Sequence, residues 1–117
     1  MNFDEAISAH VNWKVKLLGF INGTADKLDA NKVEKDNQCD LGRWLYAEGS
    51  QYKKHPEYDR LKKEHAHFHK CAADVVKAVD AGKKDEAKKM LEQGKEFAIC
   101  SIHVVTLIRD MREKTKN

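Results

Sequence analysis

The stretch "PEYDRLKKEHAHFHKCAADVVKAVDA", residues 56–81, decides the fold. Read at about 100° per residue, Tyr58, Leu61, Phe68, Ala72, Val75 and Val79 recur at spacings of three and four along one side of a helix. Pro56 suits a first helical position, and Gly82 suits a terminator. His65 completes the apolar stripe, His69 lies at its edge one turn on, and His67 points to the opposite side. Two of the three histidines of "HAHFH" are therefore expected to face a core.

The same periodicity extends on both sides. The spacing predicts a helix from Phe3 to Ile21, with Asn2 as cap, Glu5 completing a capping box, and Asn22-Gly23 as its end. On it Phe3, Ile7, Val11, Leu17, Leu18 and Ile21 share an arc that also contains His10 and Lys14. Residues 24–38 are polar and aperiodic, a long loop for so small a domain. "LGRWLYAE", 41–48, reads as a short helix ended by Gly49. A last helix is expected from about Asp85 to about Arg112. The expectation is an all-α four-helix bundle with a short extra helix, formed by residues 1–117 as one domain.

Composition agrees. Charged residues make up 35% of the 117, apolar ones 41%, with one proline. The formal charge of +3 is small, and the lysines alternate with acids at helical spacing, which argues against a nucleic-acid binder. No run approaches a membrane span and no signal peptide opens the chain, so the expected compartment is the cytoplasm. Three cysteines without clustering do not make a disulfide framework. Cys71 and Cys100, on the flanks of their helices, are expected to be structural. His55 is expected to be an exposed cap and His103 to lie on the outer side of the last helix.

The chemistry concentrates on four residues. His65 and His69, four apart, present two imidazoles on one helix face. His10 is a third inward histidine. Each buried ring needs partners for both nitrogens, and a shared metal would satisfy one on each. Cys39 precedes the short helix, where backbone donors favour its thiolate. Three imidazoles and one thiolate form a closed set that suits zinc. Gly42 allows close approach of another chain segment, Trp44 anchors the short helix, and Trp13 and Phe68 pack beside the site.

"HVNWK" (10–14), "CDLGRW" (39–44) and "HAHFH" (65–69) together resemble the three signature segments of the chemoreceptor zinc-binding (CZB) domain family, in the family's order and spacing. The resemblance puts the zinc ligands at His10, Cys39, His65 and His69. It implies a four-helix bundle, usually a homodimer, that works with bacterial chemoreceptors or diguanylate cyclases and senses zinc, or oxidants of the hypochlorous acid type, through Cys39. It implies no catalysis, since a four-ligand zinc site leaves no open position. Two other readings compete. One is a metal-free helical scaffold for protein partners. The other is a hemerythrin-like di-iron oxygen binder, which needs more inward histidines and bridging carboxylates. Ile99 and Ile102 point away from the face of the last helix that can meet its own bundle, and are the expected dimer contact.

Overall fold

The computed structural model describes residues 2–23, 28–37 and 39–115. In chain order the α-helices are α1 (Phe3–Val11), α2 (Trp13–Asn22), α3 (Ala30–Glu34), α4 (Asp40–Tyr46), α5 (Pro56–Asp80), α6 (Lys84–Met90) and α7 (Glu96–Lys114), with a 3-10 turn at Glu48–Tyr52. Among the described residues there is no strand, and no helix is long and apolar enough to cross a membrane. The all-α bundle expected from the periodicity is what forms.

The ends follow local chemistry. The Asn2 side chain accepts the Glu5 N–H at 3.1 Å, the N-cap half of the expected box. Gly23 closes α2 at φ 74°, donating to the carbonyls of Gly19 and Phe20. Gly82 sits at φ 80° after α5, and the next N–H, of Lys83, reaches back to the Ala78 carbonyl at 2.9 Å. That is the six-to-one bond of a glycine-terminated helix. His55 occupies the N-cap position of α5, but its side chain makes no capping bond.

Three expectations need correction. The first helix breaks at Asn12, although the backbone there stays helical (φ −71°, ψ −13°); asparagine is a weak helix former whose side chain competes for the backbone. The last helix is divided. Residues 91–95 form turns around Gly94, at φ 86°, and the bundle helix proper begins at Glu96. Within the polar 24–38 segment, α3 forms where Asp29 caps it by accepting the Asn31 N–H at 2.9 Å; residues 24–27 and 38 of that segment lie outside the described residues.

α5 is the central helix. It packs most extensively on α7 and also meets α2, α3, α4 and α6, while α1 lies against α7. Its buried side chains accordingly extend beyond one stripe: Tyr58, Leu61, His65, Phe68, His69, Cys71, Ala72, Ala73, Val75 and Val76. The stripe of α1 and α2 that meets this core passes through Ala6, His10, Leu17 and Ile21. Val11 lies about 100° from His10 and is 54% exposed rather than core. Lys14 is exposed as well. Arg112 pairs with Asp4, tying the last turns of α7 to the first turn of α1.

Candidate metal centre

Three elements bring four side chains to one point. α1 supplies His10, α5 supplies His65 and His69, and Cys39 stands immediately before α4. The three histidines are 2%, 0% and 2% exposed, so each ring has left water. Cys39 is only half-buried.

Each imidazole is oriented by its local backbone. Nδ1–H of His10 donates to the Ala6 carbonyl at 2.7 Å, one turn earlier on the same helix. Nδ1–H of His69 donates to the Val33 carbonyl at 2.8 Å. A carbonyl only accepts, so both bonds fix the Nδ1–H tautomer and leave Nε2 with its lone pair. The buried Nε2 of His10 has no hydrogen-bond partner, and neither has the buried Nδ1 of His65. Burial pushes His10 down to about 4. Burial, with His69 and His10 alongside, pushes His65 down to about 2. Burial also lowers His69, against the opposing bond to Val33. All three rings are neutral near pH 7, the form in which imidazole binds metal.

Their separations suit one tetrahedral ion. Nε2 of His65 lies 3.0 Å from Nε2 of His69. Cys39 Sγ lies 3.3 Å from the former and 3.7 Å from the latter. One donor atom from each of His10, Cys39, His65 and His69 falls within 4.8 Å of every other. Tetrahedral zinc with ordinary bond lengths would place two nitrogens about 3.3 Å apart and a sulfur and a nitrogen about 3.6 Å apart. The donor set, the neutral rings and the orphaned His10 nitrogen all fit zinc. Among the described residues no carboxylate joins this cluster, whereas a di-iron site requires bridging carboxylates.

The thiol is aimed by α4. Cys39 is its N-cap, and Sγ accepts the Gly42 N–H at 3.4 Å. Gly42 is pressed against the chain ahead of it: a Cβ there would lie 1.7 Å from the Asp36 carbonyl oxygen. The close approach expected at this glycine is thus to backbone. α4 is fastened by Leu41 and Leu45, both buried, and by Trp44. The Trp44 ring meets Phe3 edge-on at 5.3 Å and stacks on Tyr52 at 5.9 Å. Tyr58 OH donates to the Leu45 carbonyl, binding α4 to α5. Phe68 fills the space beside His10 and His69, at 5.4 and 5.6 Å between ring centres. Trp13 lies edge-on to His69 at 5.9 Å. Both pack beside the site without supplying a donor.

Two contributors had no side-chain signature. Val33 acts through its carbonyl, and Ala6 does the same for His10; neither can be identified from residue type. The partial signal was Asp29, a good cap immediately before α3.

Outside this cluster, His67, Cys71 and Cys100 also approach one another. Cys71 and Cys100, expected on the flanks of their helices as structural residues, are buried and face each other across the α5–α7 seam. His103 is on the outer side, near Glu64 at 3.4 Å.

No curated protein and no solved structure matches the chain. The sequence model of the chemoreceptor zinc-binding domain matches residues 10–76, more than half of the chain. That span opens on His10 and contains Cys39, His65 and His69. With the four donors gathered at zinc-binding distances, the match establishes that this protein belongs to the chemoreceptor zinc-binding domain family.

Proposed function

We propose that the chain is a sensory zinc module whose reporting ligand is Cys39. The observation that carries this reading is an asymmetry within the ligand set. Three ligands are imidazoles buried to 2% exposure or less. The fourth is a half-buried thiol at the head of the seven-residue helix α4. A cleft of about 600 Å³ between α1 and α4 is lined by His10, Cys39, Trp13, Trp44, Arg43 and Glu48 among others, which offers a small oxidant a route to the sulfur.

Zinc supplies Lewis acidity and a structural clamp but no redox chemistry. The oxidisable group is the Cys39 thiolate. With hypochlorous acid it becomes a sulfenic acid as chloride leaves, and the two electrons come from sulfur. The sulfenic acid is a poor ligand, so the N-terminal end of α4 loses its metal link to α1 and α5, while Trp44 and the Tyr58–Leu45 bond still hold the rest of the helix. Motion of that end relative to α5 is the signal that a partner would read. Cys71, pushed up to about 12 by burial, and Cys100, raised for the same reason, remain protonated and are poor competitors for oxidant. The family is one of sensory domains rather than catalysts, and a bacterial chemoreceptor or diguanylate cyclase is the output that family membership suggests. A homodimer is the assembly we infer. Its support is the exposure of Ile99 and Ile102 on α7, 43% and 63%.

The test is zinc release. Purified protein is expected to carry about one zinc per chain, released to a chromophoric chelator on mild hypochlorous acid treatment, with mass spectrometry placing the modification on Cys39. Oxidation mainly at Cys71 or Cys100 with zinc retained would refute the redox reading and leave zinc binding intact. Protein that carries no zinc as purified and takes up none when zinc is supplied would favour the scaffold reading.

A further inference from the structure

We propose that His67, Cys71 and Cys100 form a second metal site, on the opposite side of α5 from the first, that takes a soft, thiophilic cation of the copper(I) class. Two helices each present a pair of residues four apart across their seam: His67 and Cys71 from α5, Glu96 and Cys100 from α7. Cys71 and Cys100 are 6% and 2% exposed. Their sulfurs lie 3.9 Å apart, and Nδ1 of His67 is 3.2 Å from Cys100 Sγ. One donor atom of each residue lies within 4.8 Å of the others. Two thiolates sharing an ion at about 2.3 Å would stand roughly 3.8–4.0 Å apart at tetrahedral or trigonal angles, so the observed sulfur separation needs no rearrangement.

The surroundings support a metal over a chance contact. Nε2 of His67 meets the Glu96 carboxylate at 2.7 Å. A carboxylate accepts, so Nε2 is the donor of this bond, and Nδ1 is the ring nitrogen turned toward Cys100 Sγ. A histidine backed in this way by a carboxylate is the common outer-shell arrangement of metal sites. Beside Cys71 a cleft of about 180 Å³ is lined by Met90, Asp74, Lys95 and Glu96 among others, giving room for a further ligand next to a thioether.

Two sulfurs and one nitrogen make a softer set than three nitrogens and one sulfur, and soft ligands select copper(I). An ordinary cysteine thiol is protonated at neutral pH. Cation binding therefore breaks two S–H bonds, forms two metal–sulfur bonds and delivers two protons to the buffer, with no change of oxidation state.

The experiment is an anaerobic titration of zinc-loaded protein against bicinchoninate-bound copper(I). Wild type is expected to withdraw about one copper(I) per chain while its zinc stays bound. His67→Ala and Cys71→Ala should each weaken that uptake at least tenfold, with zinc content unchanged. His67 is exposed, so its variant tests the site without disturbing the core, and circular dichroism checks the helicity of both. Failure of wild type to compete for copper(I), uptake unaffected by either variant, or uptake matched by stoichiometric loss of zinc would each overturn the proposal. Zinc content reads the His10, Cys39, His65 and His69 site separately, so failure at one site is distinguishable from failure at the other.

Discussion

Gly42→Ala is the most informative single substitution, because its sign is decided by one contact. Within a helix, replacing glycine by alanine ordinarily stabilises by about 1 kcal/mol. Here the added Cβ would fall 1.7 Å from the Asp36 carbonyl oxygen and 2.9 Å from Cα of Asn37, whereas ordinary contact begins near 3.4 Å. A gap of about 1.7 Å must open between two backbone segments, and no flexible side chain can absorb it. If α4 retreats, it carries Cys39, whose sulfur must hold its bond length to within about 0.2 Å. If Asp36 and Asn37 retreat, they displace the segment that leads back to Val33, whose carbonyl orients His69. Either movement spoils a ligand. We expect zinc affinity to fall about 10- to 100-fold, the usual effect of disturbing a ligand's support. The metal-free protein should lose about 1–3 kcal/mol, the usual cost of overpacking. Competition against a chromophoric zinc chelator measures the first, and urea unfolding with metal removed measures the second. A variant with wild-type zinc affinity and equal or greater stability would refute the reasoning.

His65→Ala and His69→Ala should each abolish stoichiometric zinc in elemental analysis and lower the melting temperature, whereas His67→Ala should do neither; the reverse pattern would contradict the orientation of α5. The metal-stripped protein should be acid-sensitive. His10, His65 and His69 all have lowered values in the fold, so the unfolded chain binds more protons below pH 6.5. Stability is then full above that value and falls with pH, by about 1.4 kcal/mol at pH 5.5 for each ring that stays neutral; a flat profile from pH 7.5 to 5.5 by chemical denaturation would refute the neutral-ring assignment. An Ile99→Glu, Ile102→Glu double variant should convert a dimer to a monomer in light scattering with its zinc content intact. A monomeric wild type, or a variant that stays dimeric, would place the interface elsewhere or nowhere.

Much of the fold was determined by sequence period and punctuation alone. The helical stripe of 56–81, the Asn2 cap and the stops at Gly23 and Gly82 are local matters, settled within one or two turns of chain. The four donors were legible for the same reason. His65 and His69 share a face by spacing, His10 lies on an apolar arc, and Cys39 precedes a helix. Helix phase shows which way a residue points but not which neighbour it meets. Only tertiary packing, therefore, brought Val33 to His69, put Asp36 against Gly42, and set Cys71 opposite Cys100. The first two contacts are made by backbone carbonyls, which every residue carries and no sequence motif marks. The last joins residues 29 apart in the chain, and it exists because α7, set off from α6 by the turn at Gly94, packs against a face of α5 that the single-stripe pattern left unassigned.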